Sequence, residues 1–163
     1  MFVHLREMTN TEYDTFCAWS FSSQTQDYVD ISGLSHEAAR KQAMVDMQQM
    51  LPDGRNTVDH RFMSIEISDS KEIVGFIWVL FEETNGRKQT FLCDFLILES
   101  HRRKGYATTA LSMLSRYSID IRCDEIVLFV SDQNTAARKL YEKCGYRFLR
   151  KAKHGQYLVK TLY

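Results

Sequence analysis

A short basic turn, Arg102-Arg103-Lys104-Gly105, lies between a strand-like segment and a helix-like segment. The apolar run from Phe91 to Leu98 is typical of a strand, and Ala107 to Tyr117 carries apolar residues at helical spacing. The first N–H groups of a helix have no partner inside it, and the helix dipole favours negative charge there. Glycine also lets a ligand approach the backbone closely. The turn therefore predicts a phosphate site, although a solvated basic turn would have the same composition.

The rest of the chain predicts the elements that position this turn. A capping box at Thr9 and Glu12 indicates a first helix ending near Trp19, and Ser35 can cap a second helix that ends before Pro52. The order is strand, two helices, three strands, helix, strand, helix and two strands. The predicted strands are Phe2–Arg6, Phe62–Ser68, Ile73–Phe81, Phe91–Leu98, Glu125–Ser131, Tyr146–Leu149 and Tyr157–Leu162, with a hairpin turn at Asn85-Gly86.

Length and composition favour one globular domain over residues 1–163, since 44% of the residues are apolar and 12% are aromatic. No apolar run approaches the roughly 18 residues of a membrane span, and the N-terminus lacks a signal-peptide pattern. A cytoplasmic location without membrane contact is the expectation. Cys17, Cys93, Cys123 and Cys144 form no C-x-x-C pair, so we expect buried free thiols and no metal.

The charges are distributed unevenly along a chain of zero net charge. Residues 1–100 carry 8 Lys/Arg against 16 Asp/Glu, whereas residues 101–163 carry 13 against 5. A basic half suits a polyanionic ligand, and a chance asymmetry of solvated faces is the alternative. Nucleic acid is not expected, because aromatic and basic residues are not interleaved as in a base-stacking surface.

A second pattern follows the predicted fifth strand. Asn134 can cap a helix that carries Ala137, Leu140, Tyr141 and Cys144 on one stripe, and Gly145 stands where a left-handed residue often ends a helix. By spacing alone, Tyr141 is a core aromatic and Asn134 an ordinary cap.

The order of elements and the two motifs together resemble the GCN5-related N-acetyltransferase (GNAT) family, as an uncharacterised member of bacterial type. The family signature Arg/Gln-x-x-Gly-x-Gly/Ala reads here Arg102-x-x-Gly105-x-Ala107, and the second signature runs from Asn134 to Tyr146. The resemblance is specific from about Ile73 to Leu149 and weak over residues 1–60. It implies an α/β (α+β) fold, with a mixed, mostly antiparallel twisted sheet of six to seven strands and about four flanking helices. A pair of parallel strands would splay apart at the CoA site.

The resemblance implies an acyltransferase that uses acetyl-CoA as co-substrate, without a metal. One strand would pair with the pantetheine arm, the basic turn would hold the pyrophosphate, and Asn134 would contact the pantetheine. Tyr141 would lie beside the sulfur as general acid. The implied cofactor-binding residues are Phe95, Leu96, Ile97, Arg102, Arg103, Lys104, Gly105, Tyr106, Ala107, Thr108, Asn134 and Tyr141.

The chemistry of acetyl transfer agrees with these residue types, except at the general base. A phenol can donate a proton to a departing thiolate, and strand N–H groups can stabilise an oxyanion. The acceptor amine must lose a proton, but Phe129 stands where some relatives have a glutamate. Asp94, a charge in an apolar strand, is the catalytic substitute that we predict, unless it is only paired to a neighbouring arginine or to the backbone. Glu66, His60 and Asp59 are further candidates, and a water relay would need no dedicated base.

The pocket for the acceptor amine is predicted only from the distribution of acidic residues. We expect residues 28–61 to wall the acceptor pocket, and its Glu37, Asp46, Asp53 and Asp59 would suit a cationic small-molecule or peptide amine such as a polyamine, an aminoglycoside or a lysine. Direct attack of the amine in a ternary complex is the expected reaction. The alternative is a GNAT-like sensor or scaffold that binds acyl-CoA without turnover. Dimers are frequent in the family, so a homodimer is one expected state.

Overall fold

The computed structural model describes residues 2–163, and over that range it holds one seven-stranded sheet and four α-helices. Its contacts form two compact units, residues 2–7 with Arg61–Tyr163, and Met8–His60. The strands are β1 Val3–Glu7, β2 His60–Ile67, β3 Ile73–Thr84, β4 Arg87–Ile97, β5 Glu125–Ser131, β6 Arg147–Ala152 and β7 Gly155–Thr161. The helices are α1 Asn10–Asp30, α2 His36–Met50, α3 Tyr106–Asp120 and α4 Thr135–Lys143.

The sheet has the order β1-β2-β3-β4-β5-β7-β6. The pairs β1–β2, β3–β4, β5–β7 and β6–β7 are antiparallel, whereas β4 and β5 run parallel. Asn85 and Gly86 both have positive φ and join β3 to β4, as the hairpin signal predicts. The structure thus confirms the predicted mixed, mostly antiparallel sheet with one parallel pair.

The hydrophobic core lies between the sheet and the apolar stripes of α3 and α4. Ala110, Leu111 and Leu114 of α3 are fully buried against strand residues such as Ile77 and Leu128. The half-buried face of α4 packs on the same cluster through Ala137, Leu140, Tyr141 and Cys144. Both helices that carry the predicted motifs are therefore fixed to the sheet by apolar burial.

The helical unit, Met8–His60, confirms the predicted helix starts but not the first helix end. The Thr9–Glu12 capping box forms, with the Glu12 amide donating to Thr9 Oγ1 at 3.2 Å and the Thr9 amide to Glu12 Oε1 at 2.9 Å. The predicted end near Trp19 is wrong, because α1 continues to Asp30. No glycine or proline interrupts the chain before Gly33, so nothing stops the helix earlier.

The second helix begins and ends as the sequence indicates. Ser35 caps α2 by accepting a hydrogen bond from the Ala38 amide at 3.2 Å, and the helix ends at Met50, before Pro52. Within residues 2–163, none of the helices combines the length and apolarity that crossing a membrane requires.

All four cysteines are free thiols, but they are less buried than predicted. Cys123 is buried, whereas Cys17, Cys93 and Cys144 are half-buried. Cys93 lies where the register between β3 and β4 shifts, and Cys144 lies at the end of α4. Strand and helix patterns do not reveal such local departures, so the prediction of burial is right only for Cys123.

A glycine in β3 makes the β3–β4 pairing unusually sensitive to substitution. A Cβ on Gly75 would stand 2.2 Å from the Leu96 carbonyl oxygen, a backbone atom that cannot move without disturbing β4. We expect Gly75→Ala to lower the free energy of unfolding by about 3 kcal/mol. Chemical denaturation measures this loss. Gly86→Ala is the comparison variant, because its Cβ would meet no atom within 4 Å and only the backbone φ of +73° opposes it, at a cost of about 1 kcal/mol. Equal losses in the two variants would contradict the steric argument.

Candidate active site

The parallel strands β4 and β5 diverge after a short paired stretch. Gln89–Leu92 pairs with Glu125–Leu128, and beyond that point the register pairs Asp94–Ile97 with β3 and Phe129–Ser131 with β7. We call the gap between Cys93–Ile97 and Phe129–Ser131 the wedge. The predicted splayed pair is confirmed, and the predicted pantetheine residues Phe95, Leu96 and Ile97 lie along one side of the wedge.

A β-bulge stands at the point of divergence. Trp78 lies opposite Asp94, but the next residue, Val79, lies opposite Leu92, so Cys93 is an additional residue in β4. A bulge bends its strand and changes the direction of the side chains that follow. The bulge therefore turns Asp94 and the rest of β4 away from β5.

Arg102 braces the loop that follows β4. The Leu98 amide bonds to the Val74 carbonyl at 2.8 Å, and a 3-10 turn, Glu99–His101, leads to the basic residues. The Arg102 side chain then reaches back, and its Nε donates to the Ile97 carbonyl at 2.9 Å. The guanidinium thereby ties the end of the wedge strand to the loop.

The N-terminus of α3 combines backbone and charge features that favour an anion, and we call it the anion site. Gly105 occupies the cap position with φ of +85° and provides no side-chain cap, and Arg103 also has a left-handed backbone with φ of +59°. A residue with a Cβ is strained in that conformation, which explains the glycine. Gly105 offers no side chain to the amides of the first turn of α3, and the exposed Arg103 and Lys104 add positive charge.

Tyr141 and Asp94, the two predicted catalytic residues, come within electrostatic reach of one another. Tyr141 lies on the face of α4 that packs against the core. Asp94 lies on β4 at the wedge, where its Oδ1 accepts a hydrogen bond from the Phe95 amide at 3.2 Å, so the backbone contact given as the alternative for this carboxylate is present. Burial raises the pKa of Tyr141 well above its usual range, and the negative charge of Asp94 raises the pKa further. The phenol therefore stays protonated across the neutral and moderately alkaline range, which suits a hydrogen-bond donor.

The end of α4 holds the Tyr141 ring in place. The Tyr146 amide bonds to the Tyr141 carbonyl at 3.0 Å, and the Gly145 amide to the Glu142 carbonyl at 3.1 Å, which are the two bonds of a Schellman motif. Gly145 has φ of +96°, as the sequence predicts. The turn places the Tyr146 ring edge-on to that of Tyr141, with the ring centroids 5.6 Å apart. Asn134 caps the other end through its Oδ1, which accepts from the Ala137 amide at 3.2 Å.

The wedge, the start of α3 without a side-chain cap and the half-buried Tyr141 occur in a chain with clear relatives. The sequence profile of the acetyltransferase (GNAT) family matches residues 25–146, which is 122 of the 163 residues. The chain belongs to this family. It is 28% identical over 147 residues to YycN of Bacillus subtilis, an uncharacterised N-acetyltransferase, covering 90% of this chain and 94% of YycN.

Solved GNAT structures share the fold over nearly the whole chain. The crystal structure of YycN has a TM-score of 0.86 and 26% identity, with 93% of this chain and 96% of YycN covered. PaiA N-acetyltransferase from Thermoplasma acidophilum, solved with coenzyme A, has a TM-score of 0.70 at 17% identity, with 99% of both chains covered. Spermidine N-acetyltransferase from Vibrio cholerae, solved with CoA and spermine, has a TM-score of 0.66 at 16% identity, with 96% and 92% covered.

The other candidates for the general base in this GNAT chain are Glu66, His60 and Asp59, and their surroundings differ from those of Asp94. Glu66 is buried in an ion pair with Arg6 at 2.8 Å and lies 3.1 Å from His4, and the hydrogen bond from Arg6 lowers its pKa. It is therefore held as an anion by partners of its own. Burial lowers the pKa of His60, which keeps the imidazole neutral at pH 7, and Asp59 is an exposed residue with φ of +65°.

Two of the carboxylates expected to attract a cationic acceptor have partners within the helical unit. Glu37 pairs with Lys41 at 3.5 Å. Asp46 accepts hydrogen bonds from the Tyr28 hydroxyl, from Gln42 at 2.8 Å and from Gln24 at 3.2 Å. Lys41 thus balances the charge of Glu37, which weakens the charge-count argument for a polyamine, whereas Asp46 keeps its charge and is held in place by neutral donors.

Tyr146 carries a buried hydroxyl without a hydrogen-bond partner among the described residues. The side chain is 3% exposed, and burial raises the pKa of the phenol far above its usual range. Because an unpaired buried hydroxyl is destabilising, we expect Tyr146→Phe to raise the free energy of unfolding by about 1 kcal/mol. The ring contact with Tyr141 is retained in this variant. Thermal denaturation measures the change, and a clear loss of stability would show that the hydroxyl has a partner.

Proposed function

We propose that this GNAT chain is an acetyl-CoA-dependent N-acetyltransferase that acts on a primary amine by direct attack in a ternary complex. The observation that carries the proposal is the combination of the open strand edge at the wedge, the helix start without a side-chain cap that follows β4, and the half-buried Tyr141 phenol within electrostatic reach of Asp94. Acetyl-CoA has a part that matches each of them: the pantetheine amides match the strand edge, the pyrophosphate matches the helix start, and the thioester sulfur matches the phenol. The family and the CoA complexes of structurally similar acetyltransferases support this assignment.

The binding part of the proposal uses backbone groups more than side chains. The edge of Phe95–Ile97 would pair with the amides of the pantetheine arm, as an added strand pairs with a sheet edge. The amides from Arg103 to Thr108 would hold the pyrophosphate, with Arg103 and Lys104 adding charge. Asn134 would contact the pantetheine while it caps α4. Arg102 would act indirectly, since its contact with Ile97 fixes the loop.

The reaction transfers an acetyl group from sulfur to nitrogen without a covalent enzyme intermediate. Bound acetyl-CoA would supply the acetyl group as a thioester. The neutral amine attacks the carbonyl carbon, a C–N bond forms, the C–S bond breaks with its electron pair on sulfur, and the amine loses one proton. The products are an acetamide and CoA. Asp94 would take the proton of the ammonium group, directly or through water, because it is a carboxylate beside the wedge.

Tyr141 would donate a hydrogen bond to the departing sulfur. A thiol has a pKa of about 8.5, far below the raised pKa of Tyr141, so full proton transfer from the phenol is uphill. Its contribution is then largest while negative charge develops on sulfur, before solvent protonates the thiolate. The negative charge of Asp94 ensures that the donor remains protonated.

A CoA-release assay with acetyl-CoA and a panel of amines tests the proposed function. The panel should contain alkylamines, polyamines, amino acids and lysine peptides, with mass spectrometry of the acetylated product. We expect amine-dependent release of CoA with one acetamide formed per CoA. The alternative, a sensor or scaffold, predicts tight binding of acetyl-CoA with no amine-dependent release from any member of the panel.

A further inference from the structure

A row of three side chains crosses the sheet beside the wedge, on the face away from α3. Phe129 in β5 lies opposite Tyr157 in β7, and Tyr157 lies opposite Arg150 in β6. Residues directly opposite one another share a face, and Phe129 alternates with the core residues Leu128 and Val130. We call Phe129, Tyr157 and Arg150 the aromatic row. It begins at the wedge and ends at the edge of the sheet.

The aromatic row is closely packed. The ring of Phe129 meets that of Tyr157 edge-on with the centroids 5.5 Å apart, and the Arg150 guanidinium carbon lies 3.8 Å from the Tyr157 centroid. Phe91 extends the surface, with its centroid 6.3 Å from that of Tyr157. A guanidinium stacked at this distance makes a cation–π contact. The three side chains therefore form one continuous surface.

Two departures from regular sheet structure set the aromatic row in place. The β6–β7 register shifts after Phe148, so that Leu149 is an additional residue and Arg150 comes to lie opposite Tyr157. A Cβ on Gly155 would stand 2.3 Å from the Phe129 ring, which therefore lies directly over the Gly155 backbone. A bulge and a close backbone approach thus arrange the row, and Phe129 lies within the strand segment that bounds the wedge.

Phe129 offers an apolar surface that the rest of its strand does not. It is 41% exposed, whereas Ile126, Val127, Leu128 and Val130 of β5 are at most 5% exposed. A single exposed aromatic side chain is ordinary on a protein surface. This one differs because it lies at the wedge and continues into Tyr157 and Arg150.

The charge around Arg150 favours an anionic group. Residues 143–163 contain six Lys/Arg and no Asp/Glu. In residues 2–163, Lys151 of the same strand pairs with Asp132 at 3.2 Å, whereas no carboxylate pairs with Arg150. One face of its guanidinium lies on Tyr157, and the N–H edges keep the planar geometry that fits a carboxylate.

Building on the proposed function, we propose that the aromatic row binds an acceptor that carries a carboxylate as well as the reacting amine. The carboxylate binds Arg150, the chain lies over Phe129 and Tyr157, and the amine enters the wedge near Asp94. Because neighbouring strands are about 4.8 Å apart and Arg150 lies two strands from Phe129, the aromatic row spans on the order of 10 Å. This class includes ω-amino acids and short peptides that end in lysine. A polyamine would place a second cation at Arg150.

Calorimetric titration of the protein saturated with desulfo-CoA, an unreactive cofactor analogue, tests the inference with a matched pair of ligands. 6-Aminohexanoate and 1-aminohexane have the same chain and amine, and only the former carries a carboxylate. We expect 6-aminohexanoate to bind roughly 10- to 100-fold more tightly, as for a charge-assisted pair, with spermidine the weakest of the three ligands. Arg150→Ala should reduce the difference to about twofold, and Arg150→Lys should keep part of it.

Arg147→Ala is the control variant, because Arg147 is a cation of the same strand that bonds to the Thr161 hydroxyl at 3.5 Å. We expect it to preserve the discrimination. Equal or tighter binding of 1-aminohexane or spermidine, no binding of either member of the pair, or equal effects of the two arginine variants would overturn the inference. The two proposals fail separately. If 6-aminohexanoate binds more tightly but no amine releases CoA, the carboxylate subsite is supported and the acetyltransferase activity is contradicted. If amines are acetylated but the two ligands bind equally, the activity is supported and the subsite is contradicted.

Discussion

Tyr141→Phe is expected to lower kcat roughly 100-fold while leaving the KM for acetyl-CoA within about twofold of the wild-type value. The substitution removes only the hydroxyl, and the ring keeps its contact with Tyr146 and its packing against the core. The loss therefore falls on the hydrogen bond to the departing sulfur. Steady-state CoA release with saturating acetyl-CoA and a responsive amine measures both constants.

Tyr146→Phe is the matched control for this variant. It removes a phenolic hydroxyl from the ring that touches Tyr141, but that hydroxyl has no partner among the described residues. We expect its kcat to stay within about twofold of the wild type. Equal losses in the two variants would point to packing, and an unchanged kcat in Tyr141→Phe would remove the tyrosine from the reaction.

The raised pKa of Tyr141 also determines how the rate of acetyl transfer should change with pH. Burial and Asp94 keep the phenol protonated above its ordinary pKa of about 10, whereas an alkylamine loses its proton as the pH approaches about 10.4. The wild-type rate should therefore rise with pH through the neutral range and show no alkaline fall up to about pH 10. An alkaline fall centred near pH 8 would contradict the protonated phenol as donor.

The second large effect is expected at the anion site. Replacing both Arg103 and Lys104 by glutamate reverses two exposed charges beside the uncapped start of α3. We expect the KM for acetyl-CoA to rise roughly 100-fold at low ionic strength, with kcat at saturation nearly unchanged. The effect should diminish with added salt, because exposed charges are screened.

A shorter acetyl donor distinguishes this rise in KM from a general loss of folding. S-acetylpantetheine lacks the pyrophosphate and the nucleotide, so the double variant should use it as well as the wild type does. Arg116→Glu is a charge control on the same helix, ten residues beyond Tyr106 and about 15 Å along the axis. An equal loss with both donors, or an equal effect of Arg116→Glu, would contradict the pyrophosphate assignment.

The features that the sequence predicts well are those that local interactions determine. The strand Glu125–Ser131, the Asn134 cap, the Thr9–Glu12 capping box and the left-handed Gly145 all occur as expected, since each depends on residues a few positions apart. The end of α1 was harder to predict, because no glycine or proline stands near Trp19 and a helix of polar and aromatic residues gives no boundary signal.

The site itself depends on strand pairing that no local pattern encodes. The bulges at Cys93 and Leu149 follow from the registers with β3 and β7, and they decide where Asp94 and Arg150 lie. The approach of Asp94 to Tyr141 likewise results from packing α4 against the sheet. The sequence did carry one hint of the aromatic row, a carboxyl-terminal segment with basic residues and no acidic ones. Register was needed to bring Arg150 beside Tyr157.

A crystal structure of the chain with an unreactive acetyl-CoA analogue tests the central claim most directly. We expect the pyrophosphate within hydrogen-bonding distance, about 3 Å, of amides between Arg103 and Thr108, with the pantetheine along Phe95–Ile97. The Tyr141 hydroxyl should lie within about 3.5 Å of the atom that replaces the sulfur. A cofactor bound outside the wedge, or a Tyr141 hydroxyl directed away from that atom, would contradict the account.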